Sequence, residues 1–469
     1  SRIIGVDATN TITFKPSLAR STSKGSIVIT LNSGNGQGVL FGQSLNLSNP
    51  LAIQFEFPTD PQWANSGGYI RFDGGQQKSI AVELNATTPF RAPFYFGDGS
   101  QNFTVKNILI RNAPTASVSY ATSLPTVSFV NNSFTYQPDV RTGPTTYSAG
   151  IVSRQKLPSG RDGNNSERLD TLIGLNNTFT GNEISGFGYG IVSIGIGVAV
   201  KSNLYRGYYS TGTQITDNLI TNVRAAGVYL GYESGTVVRG NRIYSVGVQA
   251  TGGTNVDAAG IMVGGVGRYN TTGVKLERNE ISGVVGDLWT RGISVEQVRN
   301  TFPSVTAGGN TYFPQDAEAT QVTNNVIWGL RRNSGTTNLA GIHLYTQRST
   351  TTTGWTQLIT PSQNNQTYFT RQDAVYNNTV LIPNDNIAGT GLVTALGIQH
   401  AGGATVKNNV FIMQGSASAS TLSHSTVFYE GVQMTDGNDP LALVSDRNGY
   451  ENGNAAMLRF VEINGTSAV

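Results

Sequence analysis

The sequence predicts an all-β fold: a single-domain right-handed parallel β-helix, which is a solenoid with lateral loop insertions. Two recurring signatures and the spacing between them lead to this prediction. Asn-Leu-Ile at 218–220 returns as Asn-Arg-Ile at 241–243, 23 residues later, and Gly227-Val228 lies between the two copies. A repeat of roughly 20 to 50 residues is typical of stacked supersecondary units, each of which buries its apolar face against the next.

Both signatures recur along most of the chain. The first, Asn-x-apolar, begins at Asn107, Asn132, Asn182, Asn218, Asn241, Asn279, Asn325, Asn378 and Asn409. The second, Gly followed by Ile or Val, begins at Gly150, Gly190, Gly227, Gly260, Gly292, Gly341 and Gly397. From Gly190 onward the two signatures alternate strictly, which favours one repeated coil over a chance result of composition.

The spacing assigns a role to each position of a coil. In parallel strands stacked about 4.8 Å apart, side chains that alternate along each strand form columns on its two faces. The inward columns are predicted at Ile220, Ile243, Ile281 and Ile327, and at Val228, Ile261, Ile293 and Ile342. The glycines are expected to allow a backbone bend. Stacked asparagines are expected to form a hydrogen-bonded ladder along the axis.

The regular repeat does not extend to the two ends of the chain. Residues 1–105 are predicted to be irregular N-terminal β coils and a cap, residues 106–434 the regular β-helix, and residues 435–469 a C-terminal coil and cap. The N-terminal strands are expected at 11–14, 26–31, 52–57, 69–72, 79–84 and 94–96. Caps are needed because the terminal coils of a solenoid must cover an open core.

The distances between signatures also locate lateral loops. The distance from Gly to the next Asn grows to 33 residues after Gly292 and to 37 after Gly341, so the long excursions leave from one side. They are predicted at 201–212, 298–319 and 347–373, and a fourth, more charged segment is predicted at 140–169. Loops inserted on one face of a repeat array often form its binding face.

Composition excludes several classes of protein. The 31 basic and 28 acidic residues give a net charge of +3 without long charged runs, which is not the pattern of a nucleic-acid-binding protein. No stretch approaches the roughly 18 apolar residues of a membrane span. The chain has no cysteine, which excludes disulfides and a cysteine nucleophile and is compatible with a secreted bacterial protein.

In its two signatures the chain resembles the right-handed parallel β-helix repeat proteins with NosD-like and pectate-lyase-like coils, over roughly residues 107–414. More narrowly, the segments at 12–16, 72–75, 103–110 and 445–448 resemble large bacterial β-helix proteins exported by the type IX secretion system. That resemblance implies a mature protein that is secreted, extracellular or on the cell surface. This sequence has no segment resembling the C-terminal sorting domain of such proteins, so either that domain was removed or the narrower resemblance does not hold.

The best candidate site comes from stacking the Gly-Ile segments. The outward position after each segment holds Tyr229, Met262, Ser294, His343 and Gln399, and the next outward position holds Glu296 and Tyr345. A groove with these groups can bind a sugar chain, with aromatic rings stacked on its apolar faces. The alternative is an outward column that a loop covers. The predicted ligand-binding residues are Tyr229, Trp289, Arg291, Glu296, Trp328, His343 and Tyr345.

Metal binding has one candidate segment. The three histidines, His343, His400 and His424, are not at metal-ligand spacing, which argues against a transition-metal site. The oxygen-rich residues Asp436, Asn438 and Asp439 suit Ca²⁺, and the same residue types also make ordinary turns. Calcium is therefore the one candidate ion, and no other cofactor is predicted.

Three functions fit these features. The first is a secreted or cell-surface bacterial protein with a structural or adhesive role, whose partners are extracellular glycans and other surface proteins. The second is a polysaccharide lyase or glycoside hydrolase working in the groove near His343; the sequence has no Asp-Asp pair, and its catalytic residues stay unassigned. The third is a phage tailspike-like trimer.

Overall fold

The computed structural model describes residues 11–17, 23–32, 39–42, 53–56, 68–85, 92–96, 100–112, 127–128, 135–136, 149–154, 173–195, 197–201, 204–247, 257–264, 271–297, 305–307, 310–312, 318–346, 373–384, 389–399, 404–414, 424–431, 443–453 and 456–462. Most of the predicted excursion at 347–373, the Asn132 copy of the first signature and the candidate calcium residues Asp436, Asn438 and Asp439 lie outside these ranges.

The chain forms two compact units, Ser1–Ile243 and Tyr244–Val469. Each unit is a parallel β-helix of three sheets, and a regular coil passes through sheet 1, sheet 2 and sheet 3 in turn before it returns to sheet 1. Parallel crossover connections of this kind are right-handed. The predicted all-β right-handed parallel β-helix is therefore confirmed, and the described residues form strands and turns without an α-helix.

Within its described residues, the first unit contributes six strands to each sheet. Sheet 1 contains, in order, Ile12–Phe14, Ile70–Asp73, Thr104–Lys106, Thr178–Thr180, Gln214–Thr216 and Val237–Arg239. Sheet 2 contains Ile27–Asn32, Ile80–Asn85, Leu109–Asn112, Glu183–Ser185, Leu219–Val223 and Arg242–Val246, the last of which includes the unit boundary. Sheet 3 contains Ile53–Glu56, Val39–Gly42, Phe94–Phe96, Ala149–Arg154, Tyr189–Ile194 and Ala226–Gly231.

The second unit repeats the pattern. Sheet 1 contains Lys275–Glu277, Gln321–Thr323, Asp373–Tyr376, Ala404–Lys407 and Val444–Asp446. Sheet 2 contains Glu280–Gly286, Val326–Trp328, Thr379–Ile382, Val410–Met413 and Gly449–Asn452, with Arg331–Arg332 also paired to Glu280–Gly286. Sheet 3 contains Ala258–Val263, Trp289–Gln297, Asn338–Thr346, Val393–Gln399, His424–Gly431 and Ala456–Glu462.

Short additional pairs lie outside the three main sheets. Antiparallel hairpins join Val127–Ser128 to Thr135–Tyr136, Gly197–Lys201 to Leu204–Tyr208, and Val305–Ala307 to Asn310–Tyr312. A parallel pair joins Ser210–Thr211 to Glu233–Ser234. The second and third hairpins follow a sheet 3 strand and precede a sheet 1 strand, as the predicted excursions at 201–212 and 298–319 require.

The six predicted N-terminal strands agree with the structure to within one residue at each observed end, and the strand Val39–Gly42 was not predicted. One feature of this region is irregular: Ile53–Glu56 is the outermost strand of sheet 3 and pairs with Val39–Gly42, which in turn pairs with Phe94–Phe96. The chain therefore reverses its direction of stacking once before the regular coils begin. The predicted segment boundaries at 105/106 and 434/435 stay predictions.

The predicted excursion at 140–169 contains a strand of the core. Ala149–Arg154 pairs with both Phe94–Phe96 and Tyr189–Ile194 in sheet 3, and Ile151 is fully buried. The Gly-Ile signature at 150–151 indicates this strand, but the charged residues around it led to the prediction of a lateral loop.

The two inward columns are formed as the spacing predicts. In the second unit Ile261 pairs with Ile293 and Ile293 with Ile342 in sheet 3, while Ile281 pairs with Ile327 in sheet 2. All five side chains are 0% exposed. Complete burial of an aliphatic side chain of this size contributes roughly 1.5–3 kcal/mol, so these columns are a main source of stability.

The signature glycines are required for close packing, and the predicted bend is not their role. At Gly190, Gly260 and Gly292 the backbone φ is not positive. A Cβ at Gly260 would instead collide with Ile281 of sheet 2 in the next coil and with the carbonyl oxygen of Gly292. Each glycine thus makes room for the Asn-x-Ile side chain of the following coil, which physically couples the two signatures.

The predicted asparagine ladder is present at the corner between sheets 1 and 2. In the second unit the backbone N–H and the side-chain Nδ2–H of each asparagine donate to Oδ1 of the next, at 2.9–3.0 Å. The members are Asn279, Asn325, Asn378, Asn409 and Asn448. In the first unit Asn182, Asn218 and Asn241 form the same chain.

Two signature copies are out of register with the ladder and the columns. The ladder position beside Asn182 is held by Ile108, whose N–H donates to Asn182 Oδ1, and Asn107 occupies the preceding left-handed position with φ 55°. In sheet 3, Leu396 pairs with Ile342, so Gly397 lies opposite His343. The Gly-Ile segment at 397–398 is therefore two residues out of register with the earlier copies.

Candidate functional site

The outward face of sheet 3 in the second unit carries the candidate site. Ser294 and Glu296 alternate with the inward Ile293 and Val295 on the strand Trp289–Gln297. On the next coil Ser294 pairs with His343, and Glu296 pairs with Tyr345. This placement of Ser294, His343, Glu296 and Tyr345 in two outward columns agrees with the sequence prediction.

Aromatic side chains form a row at this face. The rings of Trp289 and His343 are stacked with centroids 4.5 Å apart, and His343 is stacked on Tyr345 at 5.5 Å. The Arg291 guanidinium lies over the Trp289 ring at 4.4 Å, a cation–π geometry. His343 is fully buried, whereas Trp289 and Tyr345 are half-buried. The row therefore reaches the surface at its two outer rings.

A buried ion-pair cluster lies beside this row. Nη1 of Arg291 donates to Oδ2 of Asp257 at 3.4 Å and forms an ion pair with Oε1 of Glu296 at 3.0 Å. Ser294 Oγ donates to the same Oε1 at 3.2 Å. The side chains of Arg291 and Glu296 are 0% exposed. A charge taken out of water is tolerated only with a close counter-charge, which explains why the three ionic groups lie together.

Arg291 and Glu296 retain unused hydrogen-bonding atoms. Within the part of the chain that the structure describes, Arg291 Nε and Nη2 and Glu296 Oε2 are buried and have no hydrogen-bond partner. Buried polar atoms are almost always paired, so each of these three atoms requires a partner such as a water molecule, an ion or a ligand. We call Asp257, Trp289, Arg291, Glu296, His343 and Tyr345 the Arg291 cluster.

Five of the seven predicted ligand-binding residues belong to the Arg291 cluster: Trp289, Arg291, Glu296, His343 and Tyr345. The other two lie elsewhere. Tyr229 belongs to the first unit, where it is fully buried against the Tyr189 ring. Trp328 is on sheet 2 of the second unit, and its ring lies 6.3 Å from that of Tyr244. Proximity in sequence to the signature did not place these two rings at the site.

Two details differ from the predicted open groove. Arg291, Glu296 and His343 are 0% exposed, so the charged and imidazole groups are covered and only the outer rings reach solvent. Gln399 pairs with Tyr345 and not with His343. Its Oε1 is nevertheless 2.8 Å from His343 Nε2, so Gln399 contacts the ring from the following coil.

Asp257 was missed in the sequence. It lies three residues before Gly260, as Trp289 does before Gly292, so aligning the second signature would have placed it below Trp289. The residue matters because it supplies the second carboxylate on Arg291.

A second buried carboxyl, Glu233, was also missed. It is 0% exposed in the first unit, between the sheet 3 strand Ala226–Gly231 and the sheet 1 strand Val237–Arg239. Ser193 Oγ donates to Oε1 at 2.6 Å, and Thr236 Oγ1 donates to Oε2 at 2.5 Å. Burial raises the pKa of Glu233 to about 7, and the hydroxyls of Ser193, Thr236 and Thr213 act in the opposite direction. No repeat signature marks this position.

Metal and membrane features were searched over the described residues. In those segments no group of three or more His, Cys, Asp or Glu side chains could hold a metal ion. The same ranges contain no helix that is long and apolar enough to cross a membrane. The candidate calcium segment at Asp436, Asn438 and Asp439 stays a prediction.

The sequence matches no protein-family model and no curated protein. Among solved structures, the chain is similar to PfbA, a surface adhesin of Streptococcus pneumoniae, at 12% identity and a TM-score of 0.42, covering 88% of this chain and 80% of that one. It is similar to the A-module of the Azotobacter vinelandii mannuronan C-5 epimerase AlgE6, at 10% identity and a TM-score of 0.35, covering 85% and 84%. A DFA-IIIase of Arthrobacter chlorophenolicus A6 matches at 10% identity and a TM-score of 0.33, covering 92% of both chains.

Proposed function

We propose that this protein binds carbohydrate at the Arg291 cluster and serves an adhesive or structural role outside the cell. The observation that carries the proposal is the combination of half-buried aromatic rings with buried, unpaired polar atoms on one sheet face. Trp289 and Tyr345 supply the rings, and Arg291 and Glu296 supply the unpaired atoms. Sugars present apolar ring faces and hydroxyl groups together, so this combination suits them.

The scaffold supports a binding role. Each coil is held by aliphatic columns and by the asparagine ladder, so the side chains of successive coils keep a fixed spacing near 4.8 Å. A rigid periodic face can present groups to successive residues of a polymer without losing conformational entropy on binding. The extracellular location and export by a type IX system are supported by the sequence resemblance at 12–16, 72–75, 103–110 and 445–448.

The test uses an array of neutral and acidic polysaccharide fragments, followed by calorimetric titration of the fragments retained. We expect Tyr345→Ala to weaken binding about tenfold, because a ring that stacks on a ligand contributes of the order of 1 kcal/mol in addition to its buried area. Trp328→Ala is the matched control, since Trp328 is another half-buried ring of the second unit but lies on sheet 2.

Retention of no saccharide by the wild-type protein, or an equal loss of affinity in both variants, would contradict the proposal. Melting curves of the two variants separate a loss of binding from a loss of folding.

One observation favours a second candidate, a retaining glycoside hydrolase. Asp257 Oδ2 and Glu296 Oε1 lie 3.4 and 3.0 Å from the same Nη1 of Arg291. These oxygens are therefore closer together than the roughly 6.5 Å at which the separations of inverting enzymes begin, and the pair is compatible with the retaining class. Hydrolysis with retained anomeric configuration, lost in both Asp257→Asn and Glu296→Gln, would support this candidate over a pure binder.

A lyase reaction in the same place is a distinct outcome. It would produce unsaturated uronate products from acidic polymers, and it needs a base to remove the proton α to the carboxylate. Absorbance of the product double bond distinguishes it from hydrolysis, and the absence of both products leaves the binding role.

A further inference from the structure

A lateral hairpin of the first unit is anchored to the following coil at the end where the chain enters it. The hairpin pairs Gly197–Lys201 with Leu204–Tyr208, and within the described chain these two strands pair only with each other. Just before the hairpin, the N–H of Gly195 donates to the carbonyl oxygen of Gly231 at 2.9 Å. The entry to the hairpin is therefore tied to the end of the next sheet 3 strand.

The end where the chain leaves the hairpin is tied to the same place. The N–H of Ser210 donates to the carbonyl oxygen of Tyr232 at 3.0 Å, and Ser210 pairs with Glu233. The rings of Tyr209 and Tyr232 lie 6.1 Å apart. The segment 231–234 thus holds both ends of the hairpin.

The side chain of Glu233 adds contacts to both ends. Ser193, two residues before Gly195, donates from its Oγ to Oε1 of Glu233 at 2.6 Å. Thr213, three residues after Ser210, acts on the same carboxyl through its hydroxyl, and Thr236 Oγ1 donates to Oε2 at 2.5 Å. The carboxyl is 0% exposed, so it joins the two ends of the hairpin in a place closed to water.

The carboxyl of Glu233 has hydroxyl neighbours and lacks a counter-charge. Among the described residues, the causes that act on its pKa are burial, which raises it to about 7, and three hydroxyls, which lower it. The other titratable or charged residues on the segments around it are Tyr209, Tyr229, Tyr232, Lys201, Arg206 and Arg239. Tyrosine and lysine titrate near pH 10 and arginine higher, so Glu233 is the group of this set that titrates between pH 5 and pH 8.

The two charge states of the carboxyl differ in what they require. A hydroxyl can donate or accept, so the contacts of Ser193 and Thr236 persist when Glu233 is neutral. The ionised form is costly in a buried place without a counter-charge, and entry of water relieves that cost. Ser193 belongs to a sheet 3 strand that is paired on both sides, whereas the hairpin strands pair only with each other. Opening at the base of the hairpin is therefore the least costly route for water.

We propose that Glu233 is a proton-controlled latch at the base of the hairpin 197–208: its neutral carboxyl keeps both ends of the hairpin on the segment 231–234, and its ionisation releases them. The closed form holds the proton up to a pKa of about 7, whereas a solvated carboxyl has its ordinary pKa of 4.5. Opening therefore becomes easier as the pH rises from about 5 to 7 and then levels off.

Hydrogen–deuterium exchange of the whole protein, read by mass spectrometry and corrected for the intrinsic pH dependence of amide exchange, tests the latch. Peptides that cover 195–212 and 229–236 are expected to lose protection by at least about tenfold between pH 5 and pH 8. Peptides that cover Leu219–Val223 of sheet 2 in the same unit are expected to keep theirs. Such a difference identifies a local opening.

Two variants assign the effect to one carboxyl. Glu233→Gln keeps the shape of the side chain and is neutral at every pH, so the hairpin peptides should stay protected up to pH 8. Glu280→Gln changes a half-buried carboxyl on sheet 2 of the second unit and should keep the wild-type pH dependence.

Three results would overturn the latch. They are protection of 195–212 that does not change with pH in the wild-type protein, an equal loss at Leu219–Val223, which indicates unfolding of the whole unit, and a wild-type pH dependence in Glu233→Gln. Should Glu233→Gln not fold, the comparison of the two sets of wild-type peptides still decides the inference.

Discussion

Gly292 lies against the side chain of Ile327 in the following coil, and a Cβ at position 292 would collide with Ile327 Cγ2 and with the carbonyl oxygen of Gly341. The glycine belongs to one signature and the isoleucine to the other. Their contact explains why the two signatures alternate through the chain: a β-carbon on the strand of sheet 3 would push the aliphatic column of sheet 2 away from the core.

Gly292→Ala is therefore expected to lower the free energy of unfolding by about 1–3 kcal/mol, the usual range for overpacking a well-packed core. Chemical denaturation measures it. Gly449→Ala is the matched control, because its φ is not positive and its Cβ would meet only ordinary contacts at 3.9 Å. Equal stability of the two variants would show that the packing explanation of the signature is wrong.

The asparagine ladder gives a second prediction. Asn325 accepts two hydrogen bonds from Asn279 and donates to Leu276 O and Asn378 Oδ1, so its amide is fully used in a buried place. Asn325→Ala leaves these partners unpaired, and each buried unpaired group costs about 1–3 kcal/mol. We expect a loss of roughly 2–5 kcal/mol in unfolding free energy, measured by denaturant titration.

The control for the ladder is Asn333→Ala. Asn333 is exposed, and its Nδ2 donates to Asp287 Oδ1 at 2.6 Å. An exposed hydrogen bond is exchanged for one with water, so this change is expected to cost about 1 kcal/mol or less. A similar cost at Asn325 would mean that the ladder contributes little to stability.

The buried carboxyl of Glu233 is expected to make the free energy of unfolding depend on pH. Its pKa is raised from 4.5 to about 7 by burial, so the folded chain holds this proton more tightly than the unfolded chain. The protonated carboxyl contributes up to about 3 kcal/mol to the free energy of unfolding. This contribution is complete below about pH 4.5 and is lost as the pH rises towards 7. Unfolding curves at several pH values measure the loss.

Glu233→Gln removes the titrating group but keeps its shape, so the fall in stability between pH 5 and pH 8 should become smaller by about that amount. Glu451→Gln, at an exposed position, should leave the wild-type pH profile intact. An unchanged profile in Glu233→Gln would show that this carboxyl is not the cause.

The buried ion pairs give a fourth prediction. Arg291→Met removes the positive charge between Asp257 and Glu296 and leaves two buried carboxylates without their counter-charge, a change that costs about 3–5 kcal/mol. Arg331→Met changes an exposed arginine of the same unit and should cost about 0.5 kcal/mol or less. Thermal melting of both variants measures the difference, and equal melting temperatures would contradict the account of the cluster.

Local sequence patterns predicted the repeated coil because its constraints are local and repeated. Ile281 and Ile327 face the core at the same position of successive coils, and Asn325 follows the left-handed Asn324 at the same corner. Where one copy of a signature is ambiguous, the copies in the neighbouring coils fix its alignment. The two copies out of register, at Asn107 and Gly397, each lie beside a long excursion or an irregular coil, where spacing no longer fixes the alignment.

The candidate site was predicted only in part, for a related reason. The stacking of Ser294 on His343 and of Glu296 on Tyr345 follows from the register of one sheet, which the glycine signature fixes. Trp328 instead follows Asn325 of the first signature and lies on the sheet 2 strand Val326–Trp328, so its ring is on a different sheet from the Arg291 cluster. The distance between two residues along the sequence does not show on which sheet each of them lies.

The sequence by itself determined the fold class, the inward columns, the ladder and the side from which the loops leave, because hydrophobic period and turn chemistry are properties of short segments. The tertiary structure alone decided that Arg291 lies between Asp257 and Glu296, that these charges are covered, and that Glu233 is buried under two hydroxyls. Burial and pairing depend on the packing of residues from separate coils, and no single coil encodes them.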